Sequence, residues 1–541
     1  MPRGCGSSPA AAGPADNRRE RRRISDERAV VDPRTPVVVG VGQSIDRLHE
    51  AGYQAWSPLE LAVSAARAAV ADCAASPAGI LAAIDAVAAV RTFEMSIPVA
   101  PERSAGPVPN YPRAIARGLG CDPRLAVLEV AGGQCPQHLV TEFAGRIAAG
   151  NCTAALLVGA EALSTSSHRR DQGGAAQPSY PPGGQLEDRG DQTGYYLDEY
   201  AIAHEMYTAP AAYALLDNAR RARRGLGADE YRAEIGRLFA PFSRVAAANP
   251  LSAVRTARTP EQLSTPTDRN PIIWAPYPKS VIAREKVNLG AAILLMSAGA
   301  ADAAGVPEAN RVFLRGHADL RDLPLLERPD LAAGPASVRA VTEALRVAGR
   351  DLDAISTFDL YSCFPAPVFN ICDGLGLAAD DPRRLTITGG LPFFGGPGNN
   401  YSMHAIAETV SAMRLRPGEF GLVGANGGIM SKYSVGVYSA EPAEWVPDRS
   451  AELQTEIESA PRVGVSVRAE GPATIESYTV RSRPGTAPRG ILIARLCADD
   501  SRCYALVDDD EKLLSLLSTG EPLGHAVVVE PTAGGNRARL G

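Results

Sequence analysis

Apolar runs along this chain switch between two periods, and the switching lays out an architecture. Residues 36–42 (PVVVGVG) are a β-branched run closed by glycines, which predicts a buried strand. Over 59–71, Leu61, Ala62, Ala65, Ala66 and Ala69 recur at helical spacing. Residues 125–130 (LAVLEV) predict a strand and 131–133 a turn. A helix then carries Leu139, Phe143 and Ile147 on one stripe until Gly150 stops it. Residues 155–159 (ALLVG) predict another buried strand. Strand, helix and strand with short connections make a βαβ unit of a parallel sheet.

The same grammar returns about 230 residues further on. Residues 355–360 predict a strand, 361–364 a turn and 367–375 a helix ended by glycines. Residues 420–423 predict a strand running into Gly424-Ala425-Asn426-Gly427-Gly428. Two α/β halves in one chain imply duplication. Between them, residues 165–280 are rich in Gly, Pro and charge, helical around 211–224, and read as a long insertion. Beyond Glu444 the runs 462–467, 473–480, 490–496 and 502–507 are short and β-rich, which predicts a small barrel or sandwich. The expected layout is a disordered tail over 1–33, an N-terminal half over 34–308, a C-terminal half over 309–445 and a β-domain over 455–535.

Composition narrows the function. The chain has 541 residues, 45% of them hydrophobic, and a formal net charge of −6. No stretch reaches eighteen uncharged apolar residues, so no membrane span is expected. The basic tail around Arg18–Arg23 lacks the apolar core of a signal peptide. Nine cysteines without a C-x-x-C pair argue against a zinc ribbon and a disulfide framework, and no metal is expected. A reducing, cytoplasmic location follows as the expectation.

Four loops then carry a resemblance. Ile147-Ala148-Ala149-Gly150 and Val158-Gly159-Ala160-Glu161, Tyr361-Ser362-Cys363-Phe364, Gly389-Gly390 through Gly395-Gly396-Pro397, and Gly424-Ala425-Asn426-Gly427-Gly428 stand at the intervals of the thiolase superfamily. The chain resembles that superfamily over about 35–442. The resemblance implies a duplicated α/β fold of two βαβαβαββ halves in five α-β-α-β-α layers. Thiolases place a nucleophilic cysteine seventeen residues before the first glycine, which here is Gly133. Their activating histidine falls on Gly396 and their proton-shuttling cysteine on Gly424. Their oxyanion-hole residue falls on Tyr361. Cys135 stands two residues past the nucleophile position, about 200° around a helix, and reads with His138 and Cys363 as packing.

Within the superfamily the chain is similar to the thiolase-like protein type 1 group, which adds a C-terminal OB-like domain. The carrying runs are Pro276-Tyr277-Pro278, 359–364, 397–405 and 471–480. It also resembles sterol-carrier-protein-type thiolases and the cysteine-less steroid side-chain aldolases. The resemblance implies coenzyme A thioesters as substrate or ligand, with no bound cofactor. The candidate catalytic groups are Tyr361, Tyr401, Asn426 and His404, with a phenol of lowered pKa as base and Tyr361 or Asn426 as donor. Asn399 and Asn400 read as a turn, and Lys279 is a candidate for binding CoA. Three readings stand: an enzyme making or breaking bonds in acyl-CoA without a cysteine, a non-catalytic binder of CoA esters or lipids, and a scaffold. A monomer and a homodimer are both open. The OB-like domain has few aromatics and no basic stripe, so nucleic acid is not expected.

Overall fold

The computed structural model describes residues 31–96, 110–172, 183–481 and 486–541. The basic tail, apart from its last three residues, lies outside them.

The N-terminal half contributes β1 (Pro36–Ile45), β2 (Ala86–Ala89), β3 (Leu125–Leu128), β4 (Ala154–Ala162) and the two-residue β5 (Glu187–Asp188). A hairpin, β6 (Ile272–Trp274) and β7 (Tyr277–Pro278), precedes β8 (Asn288–Ser297). The C-terminal half contributes β9 (Val312–Arg321), β10 (Ile355–Leu360), β11 (Phe420–Gly427) and β12 (Lys432–Ser439). Strand order is β10-β11-β12-β9-β1-β8-β4-β2-β3-β5.

The duplication is visible in that order. β1–β8 and β8–β4 are antiparallel and β4–β2 parallel, while β9–β12 and β12–β11 are antiparallel and β11–β10 parallel. The two copies meet through two residue pairs of β1 and β9, so they behave as two sheets joined at a corner. The second copy has no counterpart of β3 among the described residues, and the loop after Leu385 occupies that place.

Helices complete five layers. Helix Pro58–Asp72 begins at a Ser57/Glu60 capping box and packs its alanine-rich stripe on β1 and β8. Gly40 and Gly42 allow the close approach, because a Cβ on Gly42 would meet the Ala69 nitrogen and the Ala65 carbonyl of that helix. Helices Cys135–Ala148 and Tyr401–Leu415 lie between the sheets, their apolar residues sharing one core with both. Helix Pro335–Ala348 covers β9 and β12 on the far side.

The C-terminal domain is a closed barrel. β13 (Gly471–Arg481), β14 (Arg489–Leu496), β15 (Arg502–Val507), β16 (Ala526–Thr532) and β17 (Gly535–Leu540) run in the order β14-β15-β17-β16-β13, and β13 pairs with β14 to close it. The β15–β17 contact is parallel, and helix Glu511–Thr519 bridges β15 to β16, which is the connectivity of an OB-like barrel. Two sequence expectations fail here. Residues 462–467 form no strand, because Val465 and Val467 are exposed and one isolated bridge to Arg502 is their whole pairing. The strands at 526–532 and 535–540 carry the barrel to Leu540.

The barrel docks firmly. In β14 and β15, Leu492, Ala494, Cys503 and Ala505 fill the barrel, while Ile491, Ile493, Tyr504 and Leu506 belong to the core of the thiolase-like half. The β14–β15 face, the usual oligonucleotide surface of such barrels, is therefore covered. Arg502, fully buried, pairs with Glu476 and donates to the carbonyls of Leu326 and Arg328 across the junction.

Candidate active site

The turn before helix Cys135–Ala148 is the first element of the site. Gly132 adopts φ 139°, and its N–H donates to Asn399 Oδ1 at 3.0 Å. Ser402 Oγ donates to the Gly133 carbonyl at 2.5 Å. Asn399 Nδ2 donates in turn to Arg91 O and Ser96 Oγ, and Asn400 Nδ2 to Gly159 O. These asparagines are thus more than a turn: they clamp the loop after Gly396 to the first loop and to β4.

Three glycines stand where the thiolase pattern has its reactive side chains, and they differ. A Cβ on Gly133 would collide with the Tyr361 hydroxyl and come within 2.6 Å of the Asn426 carbonyl. A Cβ on Gly424 would collide with the Tyr433 hydroxyl, with Tyr433 Cζ at 3.1 Å. At Gly396 the nearest atoms are Leu391 Cδ2 at 3.3 Å, Ala283 Cβ at 3.5 Å and Arg284 O at 3.7 Å, close to ordinary contact. Two positions are refilled by phenols, whereas a Cβ at Gly396 would meet only apolar side chains and one carbonyl at 3.3 to 3.7 Å. The sequence predicts the vacancies but not Tyr433.

The candidate side chains fall into two groups. Tyr361 and Asn426 are beside the first loop. Tyr361 Oη makes no hydrogen bond to any described residue, and burial pushes its pKa well above the usual phenol value, with Cys363 and Cys135 adding to the rise. Asn426 Nδ2 donates to Tyr213 Oη at 2.8 Å, and the Tyr213 ring stacks on Phe364 at 4.6 Å. Tyr213 comes from the insertion helix Ala209–Arg224, so the insertion supplies one wall.

Tyr401 and His404 lie deeper. The Tyr401 hydroxyl donates to Asp359 Oδ1 at 2.9 Å and bonds Thr388 Oγ1 at 2.6 Å, and the residue is wholly buried. Asp359 also accepts from Thr386 and from the Ile387 and Thr388 amides. Burial and the adjacent carboxylate push the Tyr401 phenol well up. The expectation of a phenol of lowered pKa is therefore corrected for both tyrosines. Tyr401 is the strut that holds the loop at 386–390, and its ring meets Tyr361 edge-on at 5.4 Å. His404 Nδ1 bonds Gln43 Oε1 at 2.6 Å, its Nε2 has no partner, and burial lowers its pKa to about 3. It is a neutral core histidine.

The cysteines match their reading as core. Cys135 is fully buried, its Sγ donates to Val130 O at 3.1 Å, and burial raises its pKa well above that of a free thiol. Burial likewise pushes Cys363 up to about 12. Glu129, His138 and Glu142 could jointly face a cation, but the Arg189 guanidinium already donates to both carboxylates at 2.6 and 2.7 Å.

A cleft of about 600 Å³ adjoins the third loop. Arg47, Arg255, Arg284 and Lys286 make it basic, and Val287 and Leu289 form its apolar floor. Arg284 frames the loop: its N–H donates to Leu391 O at 3.1 Å and its carbonyl accepts from Gly396 N at 2.9 Å. Arg47 and Arg255 share Glu50, whereas Arg284 has no carboxylate partner among the described residues. Partial burial and then Arg258 lower its pKa. Lys279, the CoA-binding candidate, is exposed beside the β6–β7 hairpin and does not line this cleft. Arg284 and Lys286, five and seven residues on, hold that place.

A duplicated five-layer fold with four loops, three of them glycine-rich, gathered at one site defines a thiolase-fold protein. The yeast peroxisomal thiolase matches over 76% of this chain and 98% of its own at 14% identity and a TM-score of 0.55. The Ltp2-ChsH2(DUF35) aldolase matches over 76% and 100% at 18% identity and a TM-score of 0.56. The monomeric SCP2-thiolase like protein type 1 from Mycobacterium smegmatis is 51% identical, with a TM-score of 0.82 over 95% of this chain and 100% of that one. Residues 452–533 match the model of the thiolase-like protein type 1 additional C-terminal domain. The chain belongs to the thiolase-like protein type 1 family. A search of the curated proteins returns no match.

Proposed function

We propose that this protein receives acyl-CoA thioesters and forms no cysteine acyl-enzyme with them. The observation that carries this is the refilling of the nucleophile and shuttle positions by the Tyr361 and Tyr433 hydroxyls. The basic cleft at Arg284 and Lys286 supports a nucleotide phosphate at the mouth, with the thioester reaching toward Gly396. The unpartnered Tyr361 hydroxyl, at Gly133, is the proposed donor for a thioester oxygen.

A second reading, carbon–carbon cleavage of a 3-hydroxyacyl-CoA, uses the same donor. The hydroxyl proton leaves to a base, the Cα–Cβ bond breaks, and its electron pair forms an enolate whose oxygen Tyr361 holds. The site favours binding over this turnover, because its phenols are shifted up and His404 down, and the two carboxyls that burial raises toward neutrality, Glu161 to about 8 and Asp217 to about 6, already accept from Phe93 N–H and from the Tyr231 and Tyr277 hydroxyls. The described part of β5 lies on β3, covering that sheet edge with the chain's own backbone, and the M. smegmatis relative is described as monomeric. A monomer is the proposed state.

Calorimetric titration with acyl-CoAs of graded chain length tests the reading. Arg284→Glu is expected to weaken binding about tenfold, the effect of reversing one partly desolvated charge pair. Absence of binding at every chain length would overturn it.

A further inference from the structure

The chain has 55 basic residues, of which only Lys279, Lys286, Lys432 and Lys512 are lysines. One of these four is buried. Lys432 opens β12 with 3% exposure, opposite Arg321 of β9 and two residues along the strand from the Ser434–Asp319 pair. Strand alternation puts all four side chains on one face. Lys432 Nζ makes one long hydrogen bond, to Ala131 O at 3.4 Å, and stands 5.6 Å from the Tyr196 ring. It forms no ion pair with a carboxylate among the described residues.

A cleft of about 590 Å³ opens on this lysine, and it shares no lining residue with the basic cleft described above. Gln134 lines it with 6% exposure, and Gln134 Oε1 is buried without a hydrogen-bond partner. Asp319 Oδ1 is in the same condition. His138 lines the cleft too, 3.4 Å from Asp319. An arginine at position 432 would be a permanent buried cation, whereas a lysine can be neutral and nucleophilic.

We propose that Lys432 is the nucleophile of a second site, an amine that condenses with a small aldehyde or ketone entering this cleft. The neutral Nζ adds its lone pair to the carbonyl carbon, and the π pair moves to oxygen. A proton passes from nitrogen to oxygen, giving the carbinolamine. A second proton, from the His138 imidazolium, lets the C–O bond break and water depart, leaving an iminium on Lys432.

The protonation states agree with these roles. Burial lowers the Lys432 pKa and Arg321 adds to the effect, with Cys135, Glu129 and Asp191 working the other way. Burial alone would lower His138, but Asp319, Glu129 and Glu142 outweigh it and hold the ring protonated, with a pKa of about 9.

Reductive trapping of the full chain with propanal and sodium cyanoborohydride at pH 7, followed by peptide mass mapping, tests the proposal. The expected result is a propyl group on Lys432 in about tenfold excess over Lys279, Lys286 and Lys512. Lys432→Arg, checked for an unchanged melting profile, should abolish the dominant adduct, and His138→Gln should slow its formation. Equal labelling of the four lysines, or an unlabelled Lys432, would overturn the assignment.

Discussion

Gly133 and Gly424 on one side, and Gly396 on the other, were emptied in different ways. At the first two, a tyrosine hydroxyl from a neighbouring loop or strand has moved into the volume of the missing side chain. At the third, no hydroxyl has moved in, and apolar atoms of Leu391 and Ala283 stand at contact distance. A refilled position resists reversal because its new occupant must move. A position that no hydroxyl has entered has no such occupant. On the proposed function, the nucleophile end is closed to a cysteine acyl-enzyme, and the position beside the basic cleft is where a thioester would reach.

The largest expected effect is at Gly133. Gly133→Ala meets both a phenol and a backbone carbonyl, and should cost about 3 kcal/mol or more in chemical denaturation, the upper range for overpacking. Gly424→Ala meets chiefly the end of Tyr433 and should cost about 2 kcal/mol. Tyr433→Phe should recover most of that loss in the double variant. Alone it should be neutral or stabilising by about 1 kcal/mol, because the buried Tyr433 hydroxyl has no partner. An uncoupled double-mutant cycle would break the claim that Tyr433 fills the space of Gly424.

His404 provides the next test, since an imidazole close to Phe394 of the third loop is a natural stand-in for the histidine missing at 396. Its folded pKa of about 3 lies below the unfolded value near 6.5. Its contribution to stability is therefore complete above pH 6.5 and is lost as pH falls toward 3. At pH 5.5 wild type should have lost about 1 kcal/mol relative to neutral pH that His404→Gln does not lose. A His404 that titrates near 6.5 by NMR would make it a stand-in after all. Gly396→Ala should be the mildest change, within about 0.5 kcal/mol, while lowering acyl-CoA affinity in the same calorimetric titration.

The duplication, the four loops and their spacing were legible because glycines and strand-length apolar runs mark them locally. The vacancies were legible by counting. What fills them was not. Tyr433 reaches Gly424 diagonally across the β11–β12 hairpin, in a register that pairs Gly424 with Val435 and Asn426 with Tyr433. That register depends on a turn in which Ile429 and Met430 adopt φ of 58° and 56°, a conformation that neither residue type announces. Tyr401 stood on an active-site loop yet serves Asp359, 42 residues away. Its role depends on a long-range partner and leaves no local signal. The basic cleft was missed for the same reason, since Arg47, Arg255 and Arg284 come together only in the fold.

The most direct measurement is peptide mass mapping after incubation of the full chain with acetoacetyl-CoA, with a cysteine-dependent thiolase treated in parallel. With the Cys135 thiol buried and Tyr361 in the place of the nucleophile, no cysteine of this protein should gain an acetyl group while the control does. An acetylated Cys135 would contradict the account.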